Sequence, residues 1–318
     1  MVKKFMSMRL SIITINYNNA SGLRKTLASV ASQTYHNIEH IIIDGGSTDG
    51  SVDVIREYEK QNSLHLGRDG VGLTILWVSE KDKGIYNAMN KGIEIALGKR
   101  AVNEDHTSNI IHNTLDESRS DYIQILNSGD LLASPDVTER MMNALHHTSN
   151  ITHQTSIPFL YGNMIKKDYT TGKIIGKSRE VEYSLRNYYS GTMNHDCCYF
   201  RRDLFETYGL YDENLKIVSD WKWFLQAIGL GNVKPVYVDI DVTIFDASGI
   251  SETNLALRNQ ERRQVLEELL PPAILADYDA HAFEIEQMNR LRRRHLYGLV
   301  YFIERVLFKL EKWGILRK

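Results

Sequence analysis

The feature that most constrains the fold of this chain is an alternation of short β-branched runs with amphipathic segments. The apolar runs occupy residues 10–17, 38–44, 73–78 and 122–126. Segments with apolar residues at helical spacing separate them, as at Leu23, Leu27 and Val30. Strands without polar alternation are typical of a parallel sheet covered by helices on both faces. The alternation therefore predicts an α/β fold with a mostly parallel sheet flanked by helices.

The remaining segments are predicted to be additions to that sheet. A polar stretch at about 99–120, rich in Asn, Asp, His and Ser, indicates a surface insertion. Residues 159–169 and 173–181 have the pattern of a β-hairpin. The C-terminal part carries helical apolar spacing throughout. We expect a globular domain over 1–255 and a C-terminal helical extension over 256–318, which a length of 318 residues accommodates.

The net charge and the cysteine content limit which binding partners and which cellular compartment are expected for this chain. The net charge is -2, so no strong field attracts nucleic acid, and no nucleic-acid partner is expected. Cys197 and Cys198 are adjacent and cannot close an unstrained disulfide on each other, which favours a reducing, cytoplasmic location. No apolar signal-peptide core precedes Arg9, and no run of about 18 uncharged apolar residues predicts a membrane-spanning helix.

Polar residues follow each predicted strand at the point where it ends. Ligands of open parallel sheets bind at the carboxyl ends of the strands. A single polar end is equally well explained as an ordinary turn, because Asn, Asp and Gly are common in turns. Several polar ends in register favour a binding site. The residues concerned are Asn16, Tyr17, Asn18, Asp44, Glu80, Asp82, Lys83, Asn127 and Asp130.

The absence of glycine-rich phosphate loops indicates how phosphates would be held. No G-x-G-x-x-G follows the first strand, and the chain contains no G-x-x-x-x-G-K-[ST]. These absences argue against dinucleotide oxidoreductases and P-loop phosphotransferases. A hard cation on a carboxylate is the natural substitute, because Mg²⁺ and Mn²⁺ share oxygen ligands with substrate phosphates. The sequence therefore predicts a divalent metal, Mg²⁺ or Mn²⁺, as cofactor.

A series of motifs runs in order along about residues 9–255. It comprises SIITINYNN, IEHIIIDGGSTDGS, EKDKGIYNAMNKGI, LNSGD, MNHDCCYFRRDLF, VSDWKWFLQA and FDASGIS. The series resembles the family 2 glycosyltransferases of GT-A fold, of the type found in bacterial polysaccharide biosynthesis. The resemblance implies a GT-A-like sheet. It also implies inverting transfer of a sugar from a nucleoside diphosphate sugar to a hydroxyl of a glycan or lipid-linked acceptor.

The resemblance assigns donor-binding roles to several strand-end residues. Tyr17 matches the residue that packs on the nucleotide base, and Asp44 matches the carboxylate that hydrogen-bonds the base. Asp82 lies in the loop next to the ribose and the sugar. The donor is expected to be a UDP-sugar. The residues expected to bind it are Asn16, Tyr17, Asn18, Asp44, Asp82, Lys83 and Asn127.

The resemblance also assigns the catalytic and metal-binding roles. Asp220 matches the catalytic base, and Asp130 falls at the end of the metal-binding D-x-D motif. His195 lies in the acceptor loop, where it is a candidate contact for the acceptor or a phosphate. The usual cluster of carboxylates reads NSGD here, which leaves Asp130 as its only carboxylate. A lone carboxylate holds a divalent ion weakly until a diphosphate adds its oxygens, so metal and donor binding are predicted to be coupled.

Alternative interpretations stay open for several of these features. Asp220 equally fits a helix N-cap, and His195 fits a hydrogen-bonded structural histidine. The C-terminal helices have an apolar side edged by Arg and Lys, which fits peripheral attachment to the inner face of the cytoplasmic membrane. Packing on the catalytic domain or on a partner subunit is the alternative. A sugar nucleotidyltransferase and a non-catalytic nucleotide-sugar-binding module are the competing functions, and the lone metal carboxylate favours the second.

Overall fold

The computed structural model describes residues 8–62, 72–110, 120–152, 157–168, 171–180, 184–246 and 254–312. The strands in these ranges are β1 Leu10–Asn16, β2 Ile38–Asp44, β3 Leu73–Ser79, β4 Arg100–Val102, β5 Ser108–Ile110, β6 Tyr122–Ile125, β7 Leu131–Leu132, β8 Phe159–Lys167, β9 Ile174–Lys177, β10 Cys198–Arg201 and β11 Val236–Asp246. One sheet has the order β3-β2-β1-β6-β10-β8-β11-β7, with β9 beside β8. Strands β4 and β5 form a separate antiparallel pair inside the predicted polar insertion. Residues 111–119 of that insertion lie outside the described ranges.

The helices connect these strands in the predicted alternation. They are α1 Ala20–Ala31, α2 Ser51–Asn62, α3 Ile85–Ala96, α4 Val137–Thr152, α5 Leu185–Ser190, α6 Asp203–Tyr208, α7 Ser219–Phe224, α8 Leu255–Leu269, α9 Pro272–Arg293 and α10 Tyr297–Lys312. A short 3₁₀ turn over His195–Cys197 precedes β10, and a π-helical turn over Leu225–Leu230 continues α7.

The N-terminal half of the sheet is parallel, as the sequence predicts. Strands β3, β2, β1 and β6 all run in the same direction. Ile42 faces α1 and α2 in a buried cluster with Leu27 and Ile55. Ile13, one position out of phase, lies on the opposite face against α3, where a Cβ on Gly92 would come within 2.4 Å of it. Helices therefore cover both faces, and the predicted fold class is confirmed.

The position of Ser21 just before the apolar spacing of Leu23 and Leu27 predicts it as the N-cap of α1, but another residue is the N-cap in the structure. Asn19 occupies that position, and its side-chain oxygen accepts a hydrogen bond from the Gly22 amide at 3.1 Å. Asn19 also donates to the Ser128 carbonyl at 3.1 Å. The cap therefore joins the start of α1 to the loop after β6, which carries Asp130.

The C-terminal half of the sheet is mixed. Strand β10 is antiparallel to both β6 and β8, and β11 is parallel to β8. Strands β8 and β9 form the predicted hairpin. Stacked aromatic side chains fill the adjacent core, with Phe159 and Phe200 at 4.9 Å and Trp223 edge-on to Phe200 at 5.4 Å. This packing fixes α7, which carries Asp220.

The chain divides into two compact units, Met1–Arg262 and Arg263–Lys318. The division falls inside α8, after the boundary at 255 that the sequence suggests. Within the second unit, Arg263 donates to Glu267 and Asp279 at 2.7 and 2.8 Å. Helix α10 has no buried side chain. None of the described helices is long and apolar enough to cross a bilayer.

Candidate active site

The carboxyl ends of β1, β2 and β3 are joined through the buried carboxylate of Asp44. Asn16 Nδ2 donates to Oδ1 at 2.8 Å, and Ser79 Oγ donates to Oδ2 at 2.8 Å. The hydroxyl and amide of Ser47 donate to the same two oxygens at 2.6 and 3.0 Å. Asp44 therefore orders the strand ends and the loop that follows β2. Its direct contact with a nucleotide base stays a prediction.

A cavity of about 690 Å³ opens at this edge of the sheet. Four of the predicted donor-binding residues line it, namely Asn16, Tyr17, Asp82 and Asn127. The Tyr17 ring is 66% exposed, so one face is available for stacking. Asn18 and Lys83 lie in the bordering loops, where the Asn18 side chain accepts from the Thr48 amide at 2.9 Å. Asp44 is fully buried and is not among the residues that line the cavity.

Gly45 allows two of these side chains to approach the sheet edge. A Cβ at this position would lie 2.4 Å from Asp82 Oδ2 and 3.2 Å from the Tyr17 ring. Real Cβ atoms do not make contacts that short, so any larger residue would displace the Asp82 carboxylate. The glycine after Asp44 therefore lets the loops after β1 and β3 meet over the cavity floor.

Asp130 is held at the cavity wall by its backbone. Thr26 Oγ1 donates to the Asp130 carbonyl at 2.8 Å and accepts from the Gly129 amide at 2.9 Å. Gly129 has a φ of +108°, a conformation that favours glycine. The turn that presents the Asp130 carboxylate is thus attached to α1 through backbone contacts with Thr26.

The side chains near Asp130 fit a metal that is shared with substrate. Across the described ranges, no group of three or more His, Cys, Asp or Glu side chains is placed to hold a metal ion. Mg²⁺ is commonly bound through one or two carboxylates together with substrate phosphates. A single carboxylate facing a cavity of this size fits that mode of binding, with Asp130 as the protein ligand.

A second, smaller cavity of about 150 Å³ adjoins the first and contains the predicted base. Asp220 and His195 line it. Asn127, Asp130 and Phe245 line both cavities, so the two share one wall. The structure therefore brings Asp130 and Asp220, which are distant in sequence, to one continuous site.

Two side chains from other elements orient the Asp220 carboxylate. Tyr86 Oη, on α3, donates to Oδ1 at 3.0 Å, and His195 Nδ1 lies 3.2 Å from Oδ2. Val218 occupies the N-cap of α7, and no side chain caps the helix. The carboxylate thus makes no N-cap hydrogen bond, although it lies in the first turn of α7.

The pKa values of Asp220 and His195 shift in opposite directions. Burial raises the pKa of the Asp220 carboxyl group, but hydrogen bonds from His195, the Trp221 amide and Tyr86 lower it, and the net shift is downward. Burial lowers the pKa of His195, but the hydrogen bond and charge of Asp220 and the nearby carboxylates raise it, and the net shift is upward. The pair therefore favours a carboxylate facing an imidazolium.

Asn127 contacts the second nitrogen of the His195 ring. Its Nδ2 lies 3.3 Å from His195 Nε2, while its buried Oδ1 has no hydrogen-bond partner within the described chain. The two ends of an amide are assigned from the hydrogen-bond network. As placed, Nδ2 donates to an unprotonated Nε2, whereas rotation of the amide by half a turn would let Oδ1 accept from a protonated Nε2. In either orientation His195 bridges Asp220 and Asn127.

Helix α3 holds the loop that leads into Asp220, a role that the sequence did not reveal. The Asn90 side chain donates to the Tyr211 carbonyl at 2.8 Å and accepts from its amide at 2.9 Å. The single hydroxyl proton of Tyr86 is shared between Asp220 Oδ1 and the Ile217 carbonyl, which lies 2.6 Å from Oη. The buried Glu261 of α8 accepts from the Ile217 amide at 2.9 Å. The polar residues of the IYNAMN motif therefore position the loop that leads into Asp220.

Comparison with known proteins places these features in a family. The model of glycosyl transferase family 2 matches residues 11–209. An uncharacterized glycosyltransferase of Mycobacterium tuberculosis is 28% identical over 247 residues, which are 76% of each chain. A PGL/p-HBAD biosynthesis glycosyltransferase of Mycobacterium bovis is 23% identical over 76% of this chain and 79% of its own.

Solved structures of glycosyltransferases share the fold. The mannosyltransferase PcManGT of Pyrobaculum calidifontis, in complex with GDP-Man and Mn²⁺, superposes with a TM-score of 0.54 at 15% identity. The match covers 97% of this chain and 84% of the other. Residues 1–349 of TarS from S. aureus, in complex with UDP, give a TM-score of 0.50 at 16% identity, over 82% and 70%. These neighbours show that the fold is of the GT-A type.

Proposed function

Because this chain belongs to glycosyl transferase family 2, we propose that it transfers a sugar, with inversion, from a nucleoside diphosphate sugar to a hydroxyl of a glycan or lipid-linked acceptor. One observation carries the proposal. Asp130 lies on the wall shared by two cavities, and Asp220 lines the smaller one. A donor in the larger cavity and an acceptor in the smaller one would meet at this wall.

The larger cavity is the proposed donor site. The exposed Tyr17 ring would stack on the base, and Asp82 would face the ribose and the sugar. The solved neighbours bind UDP in one case and GDP-Man with Mn²⁺ in the other. We propose a UDP-sugar for this chain, and the experiment below compares it directly with GDP. Asp130 would hold the divalent ion, which supplies positive charge to the departing diphosphate.

Asp220 is the proposed base. Its lowered pKa keeps it ionised at neutral pH, so that it can accept the proton of the acceptor hydroxyl. The acceptor oxygen forms a bond to the anomeric carbon, and the bond from that carbon to the diphosphate oxygen breaks. The diphosphate leaves with the electron pair, on the side where Asp130 lies. Tyr86 and His195 hold the carboxylate in place during this displacement.

A thermal-shift panel of UDP, GDP, CDP and dTDP, each with and without Mn²⁺, tests the donor site. A ligand at about 100 times its Kd adds about 2.7 kcal/mol to stability. For a chain of this size that corresponds to a rise in Tm of roughly 5–10 °C. We expect one nucleotide to give this rise and Mn²⁺ to increase it.

The matching sugar nucleotide is then assayed for nucleotide release with candidate acceptors. If the sugar nucleotide binds but no nucleotide is released with any of the acceptors, the result would support the non-catalytic module. Formation of pyrophosphate from a nucleoside triphosphate and a sugar 1-phosphate would support the nucleotidyltransferase. If none of the four nucleotides raised the Tm, the proposed donor site would be rejected.

We further propose that residues 256–318 attach the enzyme peripherally to an anionic membrane on its cytoplasmic side. Leu299, Ile303 and Val306 of α10 follow helical spacing and are 56%, 47% and 39% exposed. Arg305 and Lys309 lie on the same helix. An exposed apolar stripe beside basic residues fits the interface of an anionic bilayer.

Vesicle sedimentation of the full chain tests this attachment. We expect binding to vesicles containing phosphatidylglycerol and weak binding to pure phosphatidylcholine. The double variant Ile303→Ser/Val306→Ser should lose most of the bound fraction, because each side chain loses its apolar contact with lipid. Glu304→Ser, on the same helix, is the control and should keep it. A chain that stays in the supernatant as a dimer would show that the stripe packs on a second copy.

A further inference from the structure

We propose that the polar insertion positions the loop that binds the donor, and that it does so through Glu80. This loop, residues 80–84, is called the donor loop, and its residues Lys81, Asp82 and Gly84 line the larger cavity. The inference rests on the proposed function, because it takes that cavity as the donor site. It gives a role to Glu80, which follows β3 but is not among the residues that line the cavity.

The Glu80 carboxylate is held from two other elements. Lys91 Nζ, on α3, lies 2.7 Å from its Oε1. Ser108, the first residue of β5, donates its amide to Oε2 at 3.1 Å and its hydroxyl to Oε1 at 3.0 Å. Burial raises the pKa of Glu80, but the hydrogen bonds from Lys91 and Ser108 lower it, and the net shift is downward. An ionised Glu80 therefore joins α3 and the insertion to the donor loop.

The hairpin of β4 and β5 is itself attached to the end of β3. His106 lies between the two strands of the hairpin, and its carbonyl accepts a hydrogen bond from the Ser79 amide at 2.9 Å. The His106 ring stacks on Trp77, with 3.5 Å between the ring centroids. Arg100 of β4 donates to Ser108 Oγ at 3.0 Å. The insertion therefore presents Ser108 to the donor loop from an anchored hairpin.

The donor loop is held near its first residue, and Asp82 follows two positions later. The Glu80 amide donates to the Asp44 carbonyl at 3.0 Å, and Lys91 Nζ also lies 3.5 Å from the Lys81 carbonyl. Asp82 Oδ1 accepts a backbone amide of the same loop at 2.9 Å, which is a contact internal to the loop. The position of Asp82 at the cavity therefore depends on the contacts of Glu80, and a binding group needs such supporting contacts to keep its geometry.

Lys91→Met should weaken nucleotide binding by about tenfold, because it removes the ammonium group that holds Glu80 while it keeps a long side chain. Calorimetric titration of the full chain with UDP, GDP, CDP and dTDP, each with Mn²⁺, measures the affinity. The KM for the matching sugar nucleotide should rise by a similar factor, whereas kcat should stay close to that of the wild type. This split is expected for a loop that binds the substrate and the transition state equally.

Three further variants separate positioning from a general loss of stability. Lys91→Arg keeps the charge and should keep most of the nucleotide affinity. Ser108→Ala removes the hydroxyl contact from the insertion and should weaken nucleotide binding in the same direction, but by less. Arg9→Gln is the matched control, because Arg9 pairs with the buried Glu39 at 2.8 Å, at the opposite end of β2 from the cavity. It should lower the Tm, as the loss of a partner of a buried carboxylate does, and it should bind nucleotide normally.

Normal nucleotide affinity in Lys91→Met would overturn the proposal and leave the donor site standing, because the ion pair would then only stabilise the fold. An equal loss of affinity in Arg9→Gln would also overturn it. If Lys91→Met does not fold, Ser108→Ala decides, and normal affinity in that variant would reject a role for the insertion. If the wild type binds none of the four nucleotides, the proposed donor site fails, and this inference fails with it.

Discussion

Asp220→Asn should lower the turnover of the sugar nucleotide by about 10²-fold or more, while the affinity for the nucleotide stays close to that of the wild type. The substitution keeps the size of the side chain but removes the group that accepts the proton from the acceptor hydroxyl. The nucleotide lies in the larger cavity, and Asp220 is not among the residues that line it. Steady-state rates and the thermal shift with nucleotide measure the two effects separately.

The control for this prediction is Asp203→Asn. Asp203 also pairs with a cationic side chain, Arg201, at 2.6 Å, but it lies at the start of α6. This variant should retain near wild-type turnover. If Asp220→Asn retained more than about one tenth of the wild-type turnover, the loss would be too small for the removal of a general base. That result would indicate that another residue is the base.

The pH dependence of turnover is a second test of Asp220 as the base. The pKa of the Asp220 carboxyl group is lowered in the folded protein. Its contribution to folding stability is therefore complete at pH values above its ordinary pKa near 4, and it is lost as the pH falls through the lower pKa of the folded protein. The pKa of His195 is raised in the folded protein. Its contribution to folding stability is therefore complete below its ordinary pKa of about 6.5, and it is lost as the pH rises through the higher pKa of the folded protein. The ion pair should therefore persist through weakly acidic pH and break on the alkaline side. An acid limb of turnover near pH 6 would contradict Asp220 as the base.

Asp130→Ala should abolish the part of the nucleotide-induced rise in Tm that depends on Mn²⁺, and it should reduce turnover by about 10²-fold or more. The carboxylate is the proposed protein ligand of the metal, and within the described residues no cluster of further ligands could replace it. The nucleotide alone should still bind, because Tyr17 and Asp82 remain in the cavity. The thermal-shift panel with and without Mn²⁺ separates the two contributions.

The loop should survive this substitution, which makes the experiment interpretable. The Asp130 amide donates to the Asn127 carbonyl at 3.0 Å, and the Asp130 carbonyl accepts from Thr26. Neither contact uses the carboxylate. Asp136→Ala, which removes a nearby surface carboxylate paired with Ser134, is the control and should keep the Mn²⁺ response. A normal Mn²⁺ response in Asp130→Ala would reject Asp130 as the ligand.

The sequence predicted the parts of this protein that depend on local pattern. Continuous β-branched runs separated by helical spacing predict buried parallel strands, because a strand covered on both faces has no polar side. Polar residues at successive strand ends predict a common edge, because parallel strands end together. Asn16, Tyr17, Asp82 and Asn127 lie at one cavity for this reason.

The surroundings of Asp220 depended on contacts between distant segments. Tyr86 and Asp220 are separated by 134 positions, and Asn90 and Tyr211 by 121. The IYNAMN motif is visible in the sequence, but the pattern does not show which loop its polar side chains bind. In the same way, Arg258 and Arg262 look like ordinary charges of a surface helix until α8 is placed beside the loop that carries Asp220.

The sequence by itself thus determined the order of strands and helices, the edge of the sheet that binds ligands and the residue types available there. The tertiary structure alone decided that Asp44 is buried beneath that edge, that His195 faces Asp220, and that cations from β8 and α8 share its cavity. The physical reason is that periodicity and turn composition are local properties of the chain. Burial, pKa shifts and cavity walls arise only when segments that are separated in the sequence pack together.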